Sequence, residues 1–306
     1  MSRLHLFHRK KLPASATWEL SSSVVSDGRR YLKEQPYVLP KDHQETERIK
    51  FQHRMLYAHL HRHVFAPIQP PSIRRILDVG CGPGAWLTDV AALFPTATLT
   101  GLDSDAEQIA LANTVRHPHC QFLQGDVLAG LPFAEGTFDY SHMRCMILAI
   151  PASSWPFVIG ELVRVTALGG WIELFDGGQG CEHVGPNMHQ FVTWGEQVLA
   201  QRGFAVNVID HLSTMLRQAG AEHVREQRFT IPVGSWAGRT GELMGKDLLA
   251  LFEAFKVSLC TALSLQQEQV DAVLQALPHE WNTYHTSYTY LEVHGQRRQE
   301  GHHGSF

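Results

Sequence analysis

Hydrophobic and polar positions along the chain change their period several times, and each change predicts an element. Residues 1–36 hold no sustained period, and the Ser21-Ser22-Ser23 cluster marks them as an irregular leader. From Asp42 a helical period begins. Asp42 with Glu45 three residues on suits a capping box, and Ile49, His53, Leu56 and Leu60 then share one face, which predicts a helix over 42–63. Pro67, Pro70 and Pro71 stop it and make a stiff connector.

Short apolar runs then alternate with helical stretches. Strands are predicted over 73–79, 98–102, 121–123, 138–141 and 171–175, with helices over 85–94, 106–115 and 154–166 between them. That βαβ rhythm requires a mostly parallel sheet covered on both faces. Beyond residue 176 the chain turns mainly helical, with helices expected over 187–202, 209–219, 241–264 and 266–277, the last ending before Pro278. Strands at 228–233 and 287–293 bracket the last two of these. The stripe Leu248, Leu251, Phe252, Phe255, Leu259 and Leu263 makes one of them a core helix, a lid over substrate or a face for a second copy. Residues 297–306 are expected to form a disordered tail.

The fold class that follows is α/β: a doubly wound, Rossmann-like, mostly parallel seven-stranded sheet, with a leading helix and a helical cap inserted before the last strand. Residues 37–72 form the leading helix and linker, 73–176 the core, and 177–296 the cap with the last two strands.

Composition narrows the function classes. In 306 residues, 44% hydrophobic and 18% charged, there is apolar material for a sizeable core, which excludes disorder and coiled coil as global descriptions. A net charge of -4 gives no electrostatic reason to expect nucleic acid or an anionic membrane as partner. Five scattered cysteines with no C-x-x-C pair fit a reduced, cytoplasmic protein, and neither a signal-peptide pattern nor an apolar run of membrane-spanning length occurs. His59, His61 and His63 alternate on the predicted leading helix, which scatters rather than gathers them, so no metal site is expected.

The chemistry concentrates at strand ends. Ile76-Leu77-Asp78-Val79-Gly80-Cys81-Gly82-Pro83-Gly84-Ala85 runs an apolar strand into a glycine turn and then a helix. Glycine is required where the chain turns sharply and where a Cβ would block a ligand lying on the backbone. The turn also satisfies G-x-G-x-x-A, so by itself it admits a nicotinamide dinucleotide as well as another adenosine-bearing ligand. Asp103, about 20 residues further at the end of the next predicted strand, supplies a carboxylate for a ribose diol. Gln124-Gly125-Asp126-Val127 follows the third strand and offers a carboxylate and backbone to an adenine edge.

Taken in order, Asp78-Val79-Gly80-Cys81-Gly82-Pro83-Gly84, Asp103, Gly125-Asp126-Val127 and Leu168-Gly169-Gly170-Trp171-Ile172-Glu173 resemble the motifs of class I S-adenosylmethionine-dependent methyltransferases. The resemblance implies that the glycine turn underlies the methionine part of the cofactor, that Asp103 with Ser104 beside it holds the ribose, and that Gly125, Asp126 and Val127 flank adenine. A narrower resemblance, through Tyr37-Val38-Leu39-Pro40, Asp42, Glu45, Arg48, Gln52, His53 and His142-Met143-Arg144, is to the subgroup of fungal regulators of secondary metabolism and their bacterial relatives. There the leading helix closes over the cofactor, which implies Tyr37, Gln52, His53 and Met143 as further contacts. Ala167-Leu168-Gly169-Gly170 departs from that subgroup's usual Lys-Pro-Gly-Gly turn.

Methyl transfer from a sulfonium depends first on alignment, with a base optional. His142 is the candidate base and Arg144 the candidate anchor for an acidic acceptor or the cofactor carboxylate. His183, His189, His285 and Tyr288 are candidates for an acceptor pocket. The expected activity is methyl transfer to a small-molecule acceptor. A cofactor-binding regulator working through a protein partner is the competing class, and a nicotinamide-dependent oxidoreductase the more distant one.

Overall fold

The computed structural model describes residues 23–26, 28–32, 37–115 and 117–299. Its centre is a seven-stranded sheet formed by β3 (Arg75–Val79), β4 (Thr98–Asp103), β5 (Cys120–Gln124), β6 (Phe138–Arg144), β7 (Thr166–Glu182), β8 (Ala221–Pro232) and β9 (Ser287–Arg297), in the order β5-β4-β3-β6-β7-β9-β8. The first five strands run parallel, and β9 is antiparallel to both β7 and β8. The chain winds outward from β3 to β4 and β5, then crosses back to β6. The carboxyl ends of β3 and β6 therefore diverge into a crevice, where open α/β sheets take their ligands.

Alternation along the strands builds two cores. Leu77, Val79, Met143, Ile172 and Leu174 pack on one face against Val158, Ile159 and Leu162 of α4 (Trp155–Val165) and Leu212 and Leu216 of α6 (Leu212–Gln218). Ile76, Leu99, Phe122 and Tyr140 pack on the other against Trp86, Leu87 and Val90 of α2 (Ala85–Ala91); α3 (Ala106–Ala112) adds Ile109 and Ala112. A third cluster joins α1 (His43–Leu60), α5 (Pro186–Gln201), α7 (Gly238–Leu263) and α8 (Gln267–Tyr284) through Met55, Phe191, Leu248, Phe255 and Trp281. This is the helical cap, and it stands over the crevice.

Five expectations change. The leader is not irregular throughout: β1 (Ser23–Ser26) and β2 (Arg29–Leu32) form an antiparallel ribbon, with Ser26 opposite Arg29 and Gly28 at φ 69°. Asp27-Gly28 is a strong short hairpin signal, and Arg29 fastens the ribbon to Asp42 through 2.7 and 3.0 Å bonds. The rest of that leader lies outside the described residues. β7 runs past 176 to Glu182 because its glycines are shielded by β9: a Cβ on Gly177 would meet the Tyr288 ring at 2.7 Å. β8 begins at Ala221, where Glu222, Arg225, Glu226 and Arg228 give it the charges of an edge strand and hide its period.

The fourth change concerns α8, which passes through Pro278 to Tyr284. A proline inside a helix costs about 3 kcal/mol, and the extra turn offsets this by burying Trp281 and Glu280. The Glu280 carboxylate accepts from Asn187 N at 2.9 Å, Asn187 Nδ2 at 2.8 Å and Met188 N at 2.7 Å, and so caps α5. The tail also starts later than expected. Arg297 is still in β9 and donates to the Arg164 and Thr166 carbonyls, while residues 300–306 lie outside the described residues.

Candidate active site

A cavity of about 1080 Å3 opens at the carboxyl ends of β3, β4 and β6 and continues under the cap. Gly80, Gly82 and Gly84 all have left-handed backbone, at φ 72°, 51° and 76°. The three serve different purposes. A Cβ on Gly80 would strike Met146 Sδ at 2.3 Å and one on Gly84 the Phe122 ring at 2.6 Å, whereas one on Gly82 has only Ile49 Cγ2, at 3.9 Å, near it. Gly82 thus leaves space on the cavity side, while Gly84 caps α2 away from the cavity. Cys81 lines the cavity too, but its sulfur lies 2.8 Å from where a Cβ on Gly101 would stand, and burial raises the thiol's pKa.

Asp103 anchors this turn. Its Oδ2 accepts from Gly82 N at 2.8 Å and its Oδ1 from Asp105 N at 2.8 Å. Burial raises its pKa, and those two N–H bonds work against the rise. Ser104, Gly125, Asp126 and Val127 line the same end. Asp126 Oδ1 accepts from Leu128 N at 2.9 Å, which caps a short turn after β5.

α1 closes the cavity from above. Asp42 caps it by accepting from Glu45 N at 2.9 Å, but Glu45 does not return the bond. Its carboxylate pairs instead with Arg48 at 2.7 Å. Arg48 also reaches Asp247 of α7 at 3.4 Å, and Gln52 Nε2 donates to Asp247 at 3.0 Å. Burial pushes the Asp247 carboxyl up to about 6, with Arg48 and Gln52 opposing it. Tyr37, Gln52, His53 and Arg144 line the cavity beside these groups.

His53 belongs to a second chain of contacts. Arg144 Nη2 donates to His53 Nδ1 at 2.6 Å, so the ring proton sits on Nε2 and is donated to Asp89 at 2.8 Å. Burial and the Arg144 charge push His53 down to about 4. His63, beyond the end of α1, stacks between His53 and Tyr57. His53, His63 and Asp89 come within 4.8 Å of one another, a grouping that reading His63 as helical hid. With Nδ1 committed to a cation, His53 Nε2 has no lone pair to give a metal.

The candidate base is placed differently from its neighbours. His142 does not line the cavity: its Nδ1 lies 2.8 Å from Asp78 Oδ1, and its ring stacks on Trp86 at 3.7 Å. Asp78 does line the cavity, so His142 touches a cavity-lining group rather than the cavity itself. Met143 points to the opposite face of β6 and is core. Of the other candidates, His189 and Tyr288 line the cavity and His183 and His285 do not.

The capped half of the cavity is walled by Phe191 and Val192 of α5, Leu251, Phe252 and Phe255 of α7, and Tyr288 and Tyr290 of β9. One carboxylate stands in it that strand-end reasoning passed over. Asp176, 3% exposed, accepts from Met146 N at 2.7 Å and Gly177 N at 3.0 Å. Burial pushes it up to about 7 despite those bonds. Its signal in the sequence was a lone Asp after an apolar run.

Cavity size, an open glycine turn and a half-buried carboxylate at the end of β4 fit an adenosine-bearing ligand. A family model described as a methyltransferase domain matches residues 76–170. The chain is 28% identical to the N-methyltransferase sirN of Leptosphaeria maculans over 71% of this chain and 78% of that one. It is 26% identical to the methyltransferase pytC of Aspergillus terreus over 92% of each. The chain is a class I S-adenosylmethionine-dependent methyltransferase. The fold of this methyltransferase also matches the Haemonchus contortus phosphoethanolamine N-methyltransferase 2 in complex with S-adenosyl-L-methionine (TM-score 0.52, 16% identity, 81% of this chain). The methyltransferase spans about half, 53%, of that structure. Among its described residues, no helix is long and apolar enough to cross a membrane.

Proposed function

We propose that this methyltransferase acts on a small, largely apolar or aromatic acceptor held in the capped half of the cavity. The observation that carries this reading is the continuity of one cavity from the glycine turn to the Phe191, Phe252, Phe255, Tyr288 and Tyr290 walls. Relatives named as N-methyltransferases, sirN among them, support a nitrogen as one acceptor type. Five free cysteines support a reducing, cytoplasmic setting.

When bound, S-adenosylmethionine supplies an electrophilic methyl group on a sulfonium. The chain's own residues do the rest. Asp103 accepts from the ribose hydroxyls; Gly82 gives the methionine part a bare backbone to lie on, with Gly80 beside it under Met146; Gly125, Asp126 and Val127 border adenine. Arg144, oriented by His53, offers donors to the cofactor carboxylate. Tyr37, Gln52 and the Glu45–Arg48–Asp247 contacts keep α1 shut, and water out. Fixing nucleophile and methyl carbon in line supplies up to roughly 7–11 kcal/mol of the barrier in favourable cases.

The test is to incubate the protein with methyl-labelled S-adenosylmethionine and a fractionated metabolite extract. Label is expected in a small-molecule fraction and absent from a Gly82→Arg control. Label confined to protein or nucleic acid refutes the reading.

A further inference from the structure

We propose that Asp176 is the catalytic carboxylate that receives the proton of the acceptor, and that the acceptor therefore presents an N–H or O–H group to the methyl donor. This rests on the reading that the acceptor occupies the capped half of the cavity.

Geometry places Asp176 at the joint between the two halves. β6 ends with Arg144 opposite Phe175, so Asp176 is the next position outward on the ligand-facing rim. Its donor Met146 is the residue whose sulfur roofs Gly80, which puts the carboxylate one contact from the turn under the methionine part of the cofactor. Tyr288 and Cys145 line the same cavity with it.

The rest of the lobe leaves Asp176 suited to this task. Burial pushes Cys145 and Cys181 up to about 12 and raises Tyr288 and Tyr290 as well, so these stay neutral near pH 7. Asp247, across the cavity, is committed to Arg48 and Gln52. Among the described residues no ion pair involves Asp176, whose partners are backbone N–H groups. A buried carboxylate with no cation is a stronger base than one in water. His189 and Glu196 of α5 are the remaining titratable side chains in the lobe able to compete for the role.

The step balances. The acceptor lone pair forms the bond to the methyl carbon as the carbon–sulfur bond breaks, its electron pair staying on sulfur to leave a neutral thioether. The proton on the acceptor atom passes to Asp176, which returns it to solvent after release.

Two measurements test this. Carbon-detected NMR of the S-adenosylhomocysteine complex, with Asp176 assigned by its loss in Asp176→Asn, is expected to show that carboxyl titrating near neutral pH. A midpoint in the ordinary carboxylate range overturns the proposal even if no acceptor is found. The labelled-extract reaction, followed against pH, is expected to show an acidic limb with the same midpoint. Asp176→Asn should lose that limb and about 10²–10⁴-fold of the rate, with S-adenosylhomocysteine affinity held within about twofold. His189→Gln and Glu196→Gln should each keep the limb. A limb that follows His189 or Glu196, or a rate in Asp176→Asn near that of the wild type, overturns it. Label in no small-molecule fraction refutes the acceptor reading instead, and the NMR midpoint then decides for or against Asp176 as a base.

Discussion

Asp103→Ala is the sharpest test of how the cofactor is held, because the residue binds the protein as well as the ligand. In the free protein its carboxylate takes two backbone N–H groups, from Gly82 and Asp105, both at 2.8 Å. Removing it leaves the partly buried Gly82 N–H without its acceptor, at a cost of about 1–3 kcal/mol in stability. In the complex it also removes a charged hydrogen bond to the ribose, worth about 1.5–3 kcal/mol. At 1.4 kcal/mol per tenfold, S-adenosylhomocysteine should bind roughly tenfold to a hundredfold more weakly. Asp103→Asn separates the two effects. Its amide oxygen still accepts from Gly82, while its NH2 cannot accept from Asp105 N–H, so part of the stability should survive, but the lost charge should take most of the affinity with it. Calorimetry with S-adenosylhomocysteine and thermal unfolding, run on both variants, give the comparison. If Asp103→Asn binds within about threefold of wild type, the residue holds the turn and not the ribose.

Arg48→Met breaks the buried link from Glu45 to Asp247, and stranding two carboxylates this way costs about 3–5 kcal/mol; chemical denaturation should show that loss, and calorimetry a weaker S-adenosylhomocysteine complex as α1 loosens. Glu280→Ala removes three hydrogen bonds at the start of α5 and should cost about 2–4 kcal/mol by the same measurement, with cofactor affinity little changed. The pH dependence of stability has opposite signs at two sites. Asp176, raised to about 7, holds its proton more tightly folded than unfolded, so its contribution is complete below about 4 and lost as pH rises to about 7. Asp176→Asn should gain stability over wild type across that rise. His53, lowered to about 4, contributes above its ordinary value and loses the contribution as pH falls. His53→Gln should gain relative to wild type on acidification, and urea midpoints across pH 4–8 would expose either slope if reversed.

What the sequence made legible follows from how locally each feature is encoded. The glycine turn, Asp103 and Asp126 are read in order because each follows its own strand, and parallel strands bring successive carboxyl ends to one rim. Asp42 as the cap of α1 was equally local. Glu45 was not: its partner is fixed by Arg48 and, through it, by Asp247, 199 residues beyond Arg48. His142 sat at the right strand end, yet the β3–β6 register put it beside Asp78 and under Trp86, and no linear pattern shows which face a rim residue takes. Asp176 lay in a strand whose glycines concealed its length, so it read as the residue where the strand stopped.

The charges around the cavity explain why a glycine turn compatible with a dinucleotide sits in a methyltransferase. A dinucleotide carries a pyrophosphate, which needs donors and positive charge at the turn. Here nine acidic side chains line the cavity against four lysines and arginines, and all four are occupied: Arg30 by Glu107, Lys41 by Asp105, Arg48 by Glu45 and Arg144 by His53. The turn itself is bound to a carboxylate through Gly82 N. A pyrophosphate there would face Asp103, Asp78 and Asp126 with little to offset them. A sulfonium meets the reverse: its positive charge is favoured by the same carboxylates, and once the methyl has left, the neutral thioether loses that attraction. The acidic lining therefore selects the charged cofactor on entry and weakens the hold on its product.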